Sequence, residues 1–401
     1  MGKIGKNVYR LAPSPSGLMH IGNARTFVFN YLLAKHTGSK LILRIEDTDL
    51  QRSTPEFEQA IINGLKWLGI EWDEFYRQSE RNRIYQDYAN LLINEGKAYL
   101  EDGAVKFKVR DAMININDSV RGNIKFDTTL QDDFVLIKSD GSPGFHWAIV
   151  VDDHEMGITH VIRGEDHISN TPKQLLLYEV MGWEPPEYGH ISLILAMDKS
   201  KLSKRNGAMS IDQLKDEGYL PGAVFNFLAL LGWSPTNSND EIFPKAELIS
   251  MYSIDRVSKS NSIFNIEKLK WMNKEYMKRL TLNELADFIP NGTLTLAEMI
   301  RPKLTNVLDI PQWIKFLDEP VHEGKAPKWF NDFIGYFNIH DAVEPPILLN
   351  SYATTNKIPN NDIFSAVRYG ITGEVSGLPL FQVIDYLGRD ECIKRMREWL
   401  F

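Results

Sequence analysis

A chain of 401 residues, 43% hydrophobic and 24% charged, carries enough apolar content for two to four packed domains and too much to stay disordered. Its single cysteine, Cys392, excludes an intrachain disulfide and any zinc site built from several thiolates. A net charge of −8 argues against a general nucleic-acid coat but leaves room for a local cationic face, because phosphate binding depends on where the cations sit.

The N-terminal MGKIGK lacks the apolar core of a signal peptide, and Lys6 stands where myristoylation needs a hydroxyl. No uncharged apolar run approaches the roughly 18 residues that cross a bilayer, so a cytoplasmic protein without a membrane partner is expected. Val8 to Ala12 reads as a short buried strand, and Pro13, Pro15 and Gly17 then impose a loop. From Ala24 onward, Phe27, Val28, Tyr31 and Leu32 define one face of a helix that Gly38 ends. "KLILRIED" reads as a second strand with the apolar content of a parallel sheet. Thr54-Pro55 starts the next helix, with a stripe of Phe57, Ala60, Ile61, Leu65 and Leu68. Strand, helix, strand, helix in this order is the opening of a doubly wound α/β domain. There is no GxGxxG and no GxxxxGK[ST], so neither the dinucleotide nor the P-loop reading applies.

Between Lys106 and Ile137 the pattern turns to short strands, as in "VKFKVR" and "DDFVLIKSDGSPG". Alternating segments resume from Phe145 to Ala196, and after "DKSKLSKRNG" helical periods dominate to the C-terminus. Asn237–Asp240 and Pro345–Asn361 are polar or rich in Pro and Asn and read as loops or linkers.

Two segments carry chemistry. "HIGN", His20 to Asn23, stands where a loop after a parallel strand feeds a helix N-terminus, a place of outward N–H groups and positive dipole. On the loop alone, an anion site with His20 and Asn23 as donors and a plain helix cap are both open. "KSKLSKR", Lys199 to Arg205, packs four cations into seven residues. A charge run is ordinarily a solvated face, but beside the first loop it would supply positive charge for a triphosphate. His154, His160 and His167 invite a metal reading, yet "HEMGITH" lacks the HExxH spacing, so no metal site is expected. Asp47 and Asp49 read as structural partners of nearby cations such as Arg44 and Arg52.

With "HIGN" and "KLSKR" in this order, and with "RLAPSPSG", "RIEDTD", "VVDDHEMGITHVIRGEDH" and "GLPLFQVIDYLG", nearly the whole chain resembles the glutamyl-tRNA synthetases of class I, bacterial or organellar types most closely. The resemblance implies a Rossmann-like, doubly wound parallel-sheet catalytic domain with a short inserted module, then a mainly α-helical C-terminal region. It implies boundaries at 1–98 and 145–198 for the two catalytic halves and 99–144 for a reduced acceptor-end insert. It further implies 199–280 for the KLSKR loop and stem-contact domain, and 281–401 for anticodon binding. The implied substrates are ATP with Mg2+, L-glutamate and a glutamate tRNA, without zinc, and the implied state is a monomer. His20, Asn23, Lys201 and Lys204 would be the catalytic donors and cations. Pro13, Ser14, Gly17, Gly22, Leu202 and Ser203 would join them around ATP. Arg10, Ala12, Ser14, Glu46, Phe145, Ile149 and Arg163 would line the amino-acid pocket, Glu46 facing an ammonium and the arginines forking to carboxylates.

The chain departs from the family twice. A Tyr-His-x-Ala-Asn run is usual where this chain has Phe145-His146-Trp147-Ala148-Ile149, so a hydroxyl and an amide are missing from the pocket. A sizeable insert usually follows "GKAY", whereas Tyr99 here runs almost directly into Val105. Two alternatives stay open: a paralogue of altered amino-acid or acceptor specificity, which Phe145 and Ile149 motivate, and a catalytically silent tRNA-binding protein, which two complete phosphate loops speak against. The reading requires His20 and Lys204 to share one cavity.

Overall fold

The computed structural model describes residues 7–49, 51–129, 131–200, 202, 209–236, 238–290 and 292–401. They form two units, residues 1–272 and 273–401. Among the described residues no helix is long and apolar enough to cross a membrane.

The first unit opens with β1 (Val8–Leu11), α1 (Ile21–His36), β2 (Lys40–Ile45), α2 (Pro55–Trp67), β3 (Glu74–Arg77) and α3 (Asn82–Asn94). β1 pairs with β2 and β2 with β3, all parallel, with Val8 opposite Lys40 and Ile42 opposite Glu74. After the inserted strands come α4 (Phe145–Glu155), β9 (His160–Gly164), α5 (Thr171–Val180) and β10 (Glu187–Ile191), and β9 pairs with β10 in parallel. The two parallel ladders meet at β1 and β9, where Thr159 N–H donates to Val8 O at 3.1 Å and Val8 N–H to Thr159 Oγ1 at 2.8 Å. The resulting order is β3-β2-β1-β9-β10. Beyond this meeting point the C-terminal ends of β1 and β9 border a crevice, the switch point at which open α/β sheets take their ligands.

Helices cover both faces. On one, α1 packs between the sheet and α7 (Pro221–Leu230) with α8 (Lys245–Met251), while α2 meets α6 (Ile211–Asp216). On the other, α3, α4 and α5 form a core around Tyr85, Leu92, Trp147 and Leu177. The helix α1 is therefore buried almost all round: Phe29 and Leu33 are as enclosed as Phe27, Val28 and Leu32. The sequence periodicity expects a single apolar face, and the difference is the second layer that α7 and α8 add. Each such side chain contributes about 1.5–3 kcal/mol by leaving water.

The inserted module follows α3 as β4 (Ala98–Glu101), β5 (Ala104–Phe107), β6 (Met113–Asp118), β7 (Gly122–Asp127) and β8 (Phe134–Ile137). β4, β5 and β8 make a three-stranded antiparallel sheet, and β6 with β7 a separate hairpin. β11 (Ile194–Leu195) pairs with β12 (Ser262–Ile263), ahead of α9 (Ile266–Arg279).

The second unit is helical: α10 (Leu282–Ala286), α11 (Leu294–Ile300), α12 (Ile310–Ile314), α13 (Phe330–Ile339), α14 (Pro345–Asn356), α15 (Asn360–Thr372), α16 (Leu380–Leu387) and α17 (Arg389–Glu398). Arg389 closes the end of α13 by donating to the carbonyls of Phe337, His340 and Val343 at 2.7–2.9 Å. Most of Pro345–Asn361, expected as a loop, is α14. The two prolines stand at its first positions, where missing N–H groups are harmless, and Leu348, Leu349, Tyr352 and Ala353 bury one face. Cys392 is fully buried, and burial pushes its thiol up to about 12, so it is unreactive.

Candidate active site

The loop after β1 is tied down at both sides: Pro13 O accepts from Glu46 N–H at 2.8 Å and Pro15 O from Thr54 N–H at 3.2 Å. His20 is the N-cap of α1. Its Nδ1 accepts from Gly22 N–H at 3.1 Å and Asn23 N–H at 3.4 Å. The capping reading of "HIGN" is thus correct, and it does not displace the other one. A neutral ring that accepts at Nδ1 carries its proton on Nε2, which makes that atom a donor. Gly22 makes the fold-back feasible, since a Cβ there would lie 2.9 Å from His20 Cε1.

The segment after "KLSKR" meets "HIGN" directly. Ile21 N–H donates to Met209 O at 3.3 Å and Ile211 N–H to Met19 O at 3.0 Å, an antiparallel bridge centred on His20 and Ser210. On the other side of the loop, Leu202 N–H donates to Ile194 O at 3.4 Å. Lys201, Ser203, Lys204 and Arg205 lie outside the described residues; Leu202 and Met209, which bracket 203–208, line the same cavity as His20.

That cavity has a volume of about 800 Å³. Arg10, Ala12, Pro13, Ser14, Gly17, His20, Gly22, Asn23, Glu46, Phe145, Ile149, Arg163 and Leu202 all line it, which is every expected site residue among those described. Sites on β1, β2, α4 and β9 converge because the three strands end at the switch point and α4 begins there.

Its charges are arranged in two parts. Arg44, wholly buried, donates to Asp153 Oδ1 at 2.7 Å and Glu46 Oε1 at 3.0 Å, and Arg10 Nε donates to the same Asp153 oxygen at 3.3 Å. Burial alone would depress Arg44; Asp153, Glu46 and Asp152 reverse this and hold it charged. Burial likewise raises Glu46, with Arg44 and Arg10 opposing. Two cations and two carboxylates here balance. Arg163 does not belong to this balance. It is only 6% exposed, donates to His190 Nε2 at 3.1 Å and Thr171 Oγ1 at 2.9 Å, and lies 5.1 Å over the Tyr188 ring. Among the described residues no carboxylate lies within ion-pairing distance of it. Burial lowers it to about 10; the nearby charge of Arg10 adds to the effect, while Tyr188 and, beyond ion-pairing distance, Asp153 and Glu46 oppose it. Arg25, equally buried in the same lining and also lowered to about 10, donates to the carbonyls of Leu231 and Ser192; two desolvated guanidinia without an ion pair among the described residues suit the cavity to an anion.

Arg44 and Asp153 were not expected at this site. Period-two alternation along "LRIE" puts Arg44 and Glu46 on one face of β2, but Asp153 is 109 residues away. His190 is a second omission; it stands at the end of β10 without any motif around it. Asp47 accepts from Ser79 N–H and Oγ at 2.8 and 2.6 Å, and Asp49 from Arg52 at 2.7 Å. Of the three histidines, His154 stacks on Trp183 and His160 on Tyr9, while His167 lines the cavity facing Phe145. Phe145 and Ile149 supply an apolar wall, Phe145 44% exposed and Ile149 buried.

The family model for the catalytic domain of class I tRNA synthetases (E and Q) matches residues 6–104 and 101–271, and that of an anticodon binding domain matches 346–400. The chain is 37% identical to a glutamate–tRNA ligase of Natranaerobius thermophilus, over 98% of both chains. It is 36% identical to that of Aquifex aeolicus, over 96% of this chain and 97% of the other. A crystal structure of a glutamate tRNA ligase from Elizabethkingia meningosepticum in complex with its amino acid superposes with a TM-score of 0.85 at 30% identity, covering 99% of each chain.

Proposed function

We infer that this chain, which belongs to the glutamate–tRNA ligase family of class I synthetases, activates L-glutamate with ATP and transfers it to the 3′-terminal adenosine of a glutamate tRNA. One observation carries the amino-acid assignment: Arg163, a buried cation of the lining with no carboxylate in ion-pairing distance among the described residues. A free amino acid contributes one ammonium and one carboxylate, which cancel, so a further negative charge on its side chain is what Arg163 favours. Glutamine would leave Arg163 unpaired, at a cost of several kcal/mol for a desolvated charge.

In this reading the side-chain carboxylate sits between Arg163 and Arg10, whose mutual repulsion it relieves. Glu46 turns toward the ammonium, since its Oε2 takes no hydrogen bond from the described residues. A substrate α-carboxylate oxygen then attacks the α-phosphorus of ATP. The bond from that phosphorus to the bridging oxygen breaks, and pyrophosphate leaves. The chain's part is positioning and charge neutralisation: His20 and Asn23 at the start of α1, and Lys201 and Lys204 from the second loop, hold the phosphates as charge shifts onto them. The terminal ribose 2′-OH next attacks the acyl carbon and AMP departs. Mg2+ arrives with ATP and shares the phosphate charge. Residues 99–144 then meet the acceptor end and 281–401 the anticodon.

The direct test is charging of tRNA by the purified protein with each amino acid in turn. Glutamate alone should give acylated tRNA, and a different amino acid in that position overturns the assignment. His20→Asn separates the two roles of that residue. Asparagine is a good N-cap, so thermal stability should hold, while pyrophosphate exchange drops on the order of 100-fold with the Nε2 donor gone. A variant that unfolds earlier but exchanges normally would make His20 a cap only. The apolar wall is testable by addition: Phe145→Tyr with Ile149→Asn should lower the glutamate KM by about 3- to 10-fold, one or two hydrogen bonds' worth. An unchanged KM would remove both positions from the amino-acid pocket.

A further inference from the structure

The hairpin of the inserted module reaches the amino-acid pocket from behind. Its tip, residues 119–121 between β6 and β7, is seated on the end of β10: Ser119 N–H donates to Tyr188 O at 2.8 Å, Val120 is buried, and Arg121 Nε donates to His190 O at 3.2 Å. Gly189 makes this contact feasible, because a Cβ there would lie 2.6 Å from Ser119 Oγ and 2.7 Å from Ile162 Cδ1. The last residue of β6, Asp118, is wholly enclosed. Its Oδ1 accepts from Val120 N–H at 2.9 Å and Arg121 N–H at 2.7 Å, and its Oδ2 meets His190 Nδ1 at 2.5 Å. On the opposite edge of the same ring, Nε2 lies 3.1 Å from Arg163 Nε.

The protons on this chain of contacts are fixed by donor and acceptor identity. Arg163 Nε–H can only donate, so His190 Nε2 must present its lone pair. A neutral imidazole then carries its proton on Nδ1, and an ionised Asp118 is the acceptor that holds it there. Burial would raise Asp118, but donation from His190 and from the backbone of Arg121 and His190 keeps it below the ordinary carboxylate range. We propose that Asp118, acting through His190, is a positioning residue for the amino-acid pocket: it sets the imidazole tautomer that orients the Arg163 guanidinium toward the substrate carboxylate. The inserted module thereby belongs to amino-acid selection as well as to the acceptor end. This rests on the reading of Arg163 given above.

Asp118→Asn tests it with little change of shape. The amide oxygen can keep the Val120 and Arg121 donors and the His190 backbone N–H that lies 3.2 Å from Oδ1, which turns the NH2 toward His190 Nδ1. The ring must then accept at Nδ1 and carry its proton on Nε2, against Arg163 Nε–H. The glutamate KM should rise on the order of 10-fold or more, the range of a hydrogen bond to a charged group, with the KM values for ATP and tRNA and the melting temperature close to wild type. His190→Gln, whose amide oxygen can replace the Nε2 acceptor without tautomer control, should restore much of the glutamate KM when combined with Asp118→Asn. His190→Asn, which reaches only the Nδ1 position, should by itself raise the glutamate KM more than His190→Gln does. Asp118→Asn with a wild-type glutamate KM overturns the proposal, as does an equal rise in all three KM values that His190→Gln leaves uncorrected. Wild-type protein that charges no tRNA with glutamate is a separate outcome, and it overturns the functional reading itself.

Discussion

Arg163→Leu should reduce kcat/KM for glutamate on the order of 100- to 1,000-fold while raising the much weaker use of glutamine, which then strands no guanidinium. The asymmetry follows from the charge arrangement. Arg10 and Arg44 are already matched by Glu46 and Asp153, so removal of Arg163 takes away the cation that the substrate side chain would pair with. Glutamate then loses its counter-ion, whereas glutamine is freed of the cation it would leave unpaired. Competition between the two labelled amino acids in a charging assay measures the ratio directly. Equal losses for both would mean that Arg163 supports the shape of the pocket and does not read the side chain. The size of the effect reflects burial: at a wet site the same pair would be worth about 1 kcal/mol or less.

The second large effect is on stability. Arg44→Met should destabilise the first unit by about 3–5 kcal/mol, since removing one partner strands the other charges in the interior. For a unit of this size that lowers the melting temperature by roughly 6–20 °C, which calorimetry of the full chain would register in the transition of that unit. Arg44 is wholly buried and bonded to Asp153 and Glu46, with Asp152 at 3.9 Å. Without it, Arg10 alone faces Glu46 and Asp153. The sign with pH is defined. Burial already raises Glu46, and loss of Arg44 raises it further, so its folded-state value lies above the unfolded one. Stability of the variant is then greater below the ordinary glutamate range and declines as pH rises through the folded value. The defect should accordingly be largest near neutrality and shrink in mild acid; a deficit independent of pH would attribute it to lost packing alone.

Local chemistry was legible in the chain. Proline and glycine spacing located the loop after β1, a His at a helix mouth announced the cap, and strand and helix periods located β2 and α2. Periodicity underestimated the burial of α1, and Pro/Asn-rich composition misjudged α14, for opposite reasons. The first has a second packing layer, supplied by α7 and α8 from almost two hundred residues away. The second hides a buried face behind prolines that merely begin it.

Which residues share a cavity is a different kind of information. The residues from Tyr9 to Asn23 determined by themselves a strand, a loop and a capped helix, because those follow from backbone sterics and hydrogen bonds between near neighbours. The pairing of Arg44 with Asp153, of His190 with Asp118, and the absence of a carboxylate within ion-pairing distance of Arg163 among the described residues were decided only by the tertiary structure. Coulombic and hydrogen-bonding partners inside a protein are selected by distance in space and by exclusion of water, and sequence separation carries neither.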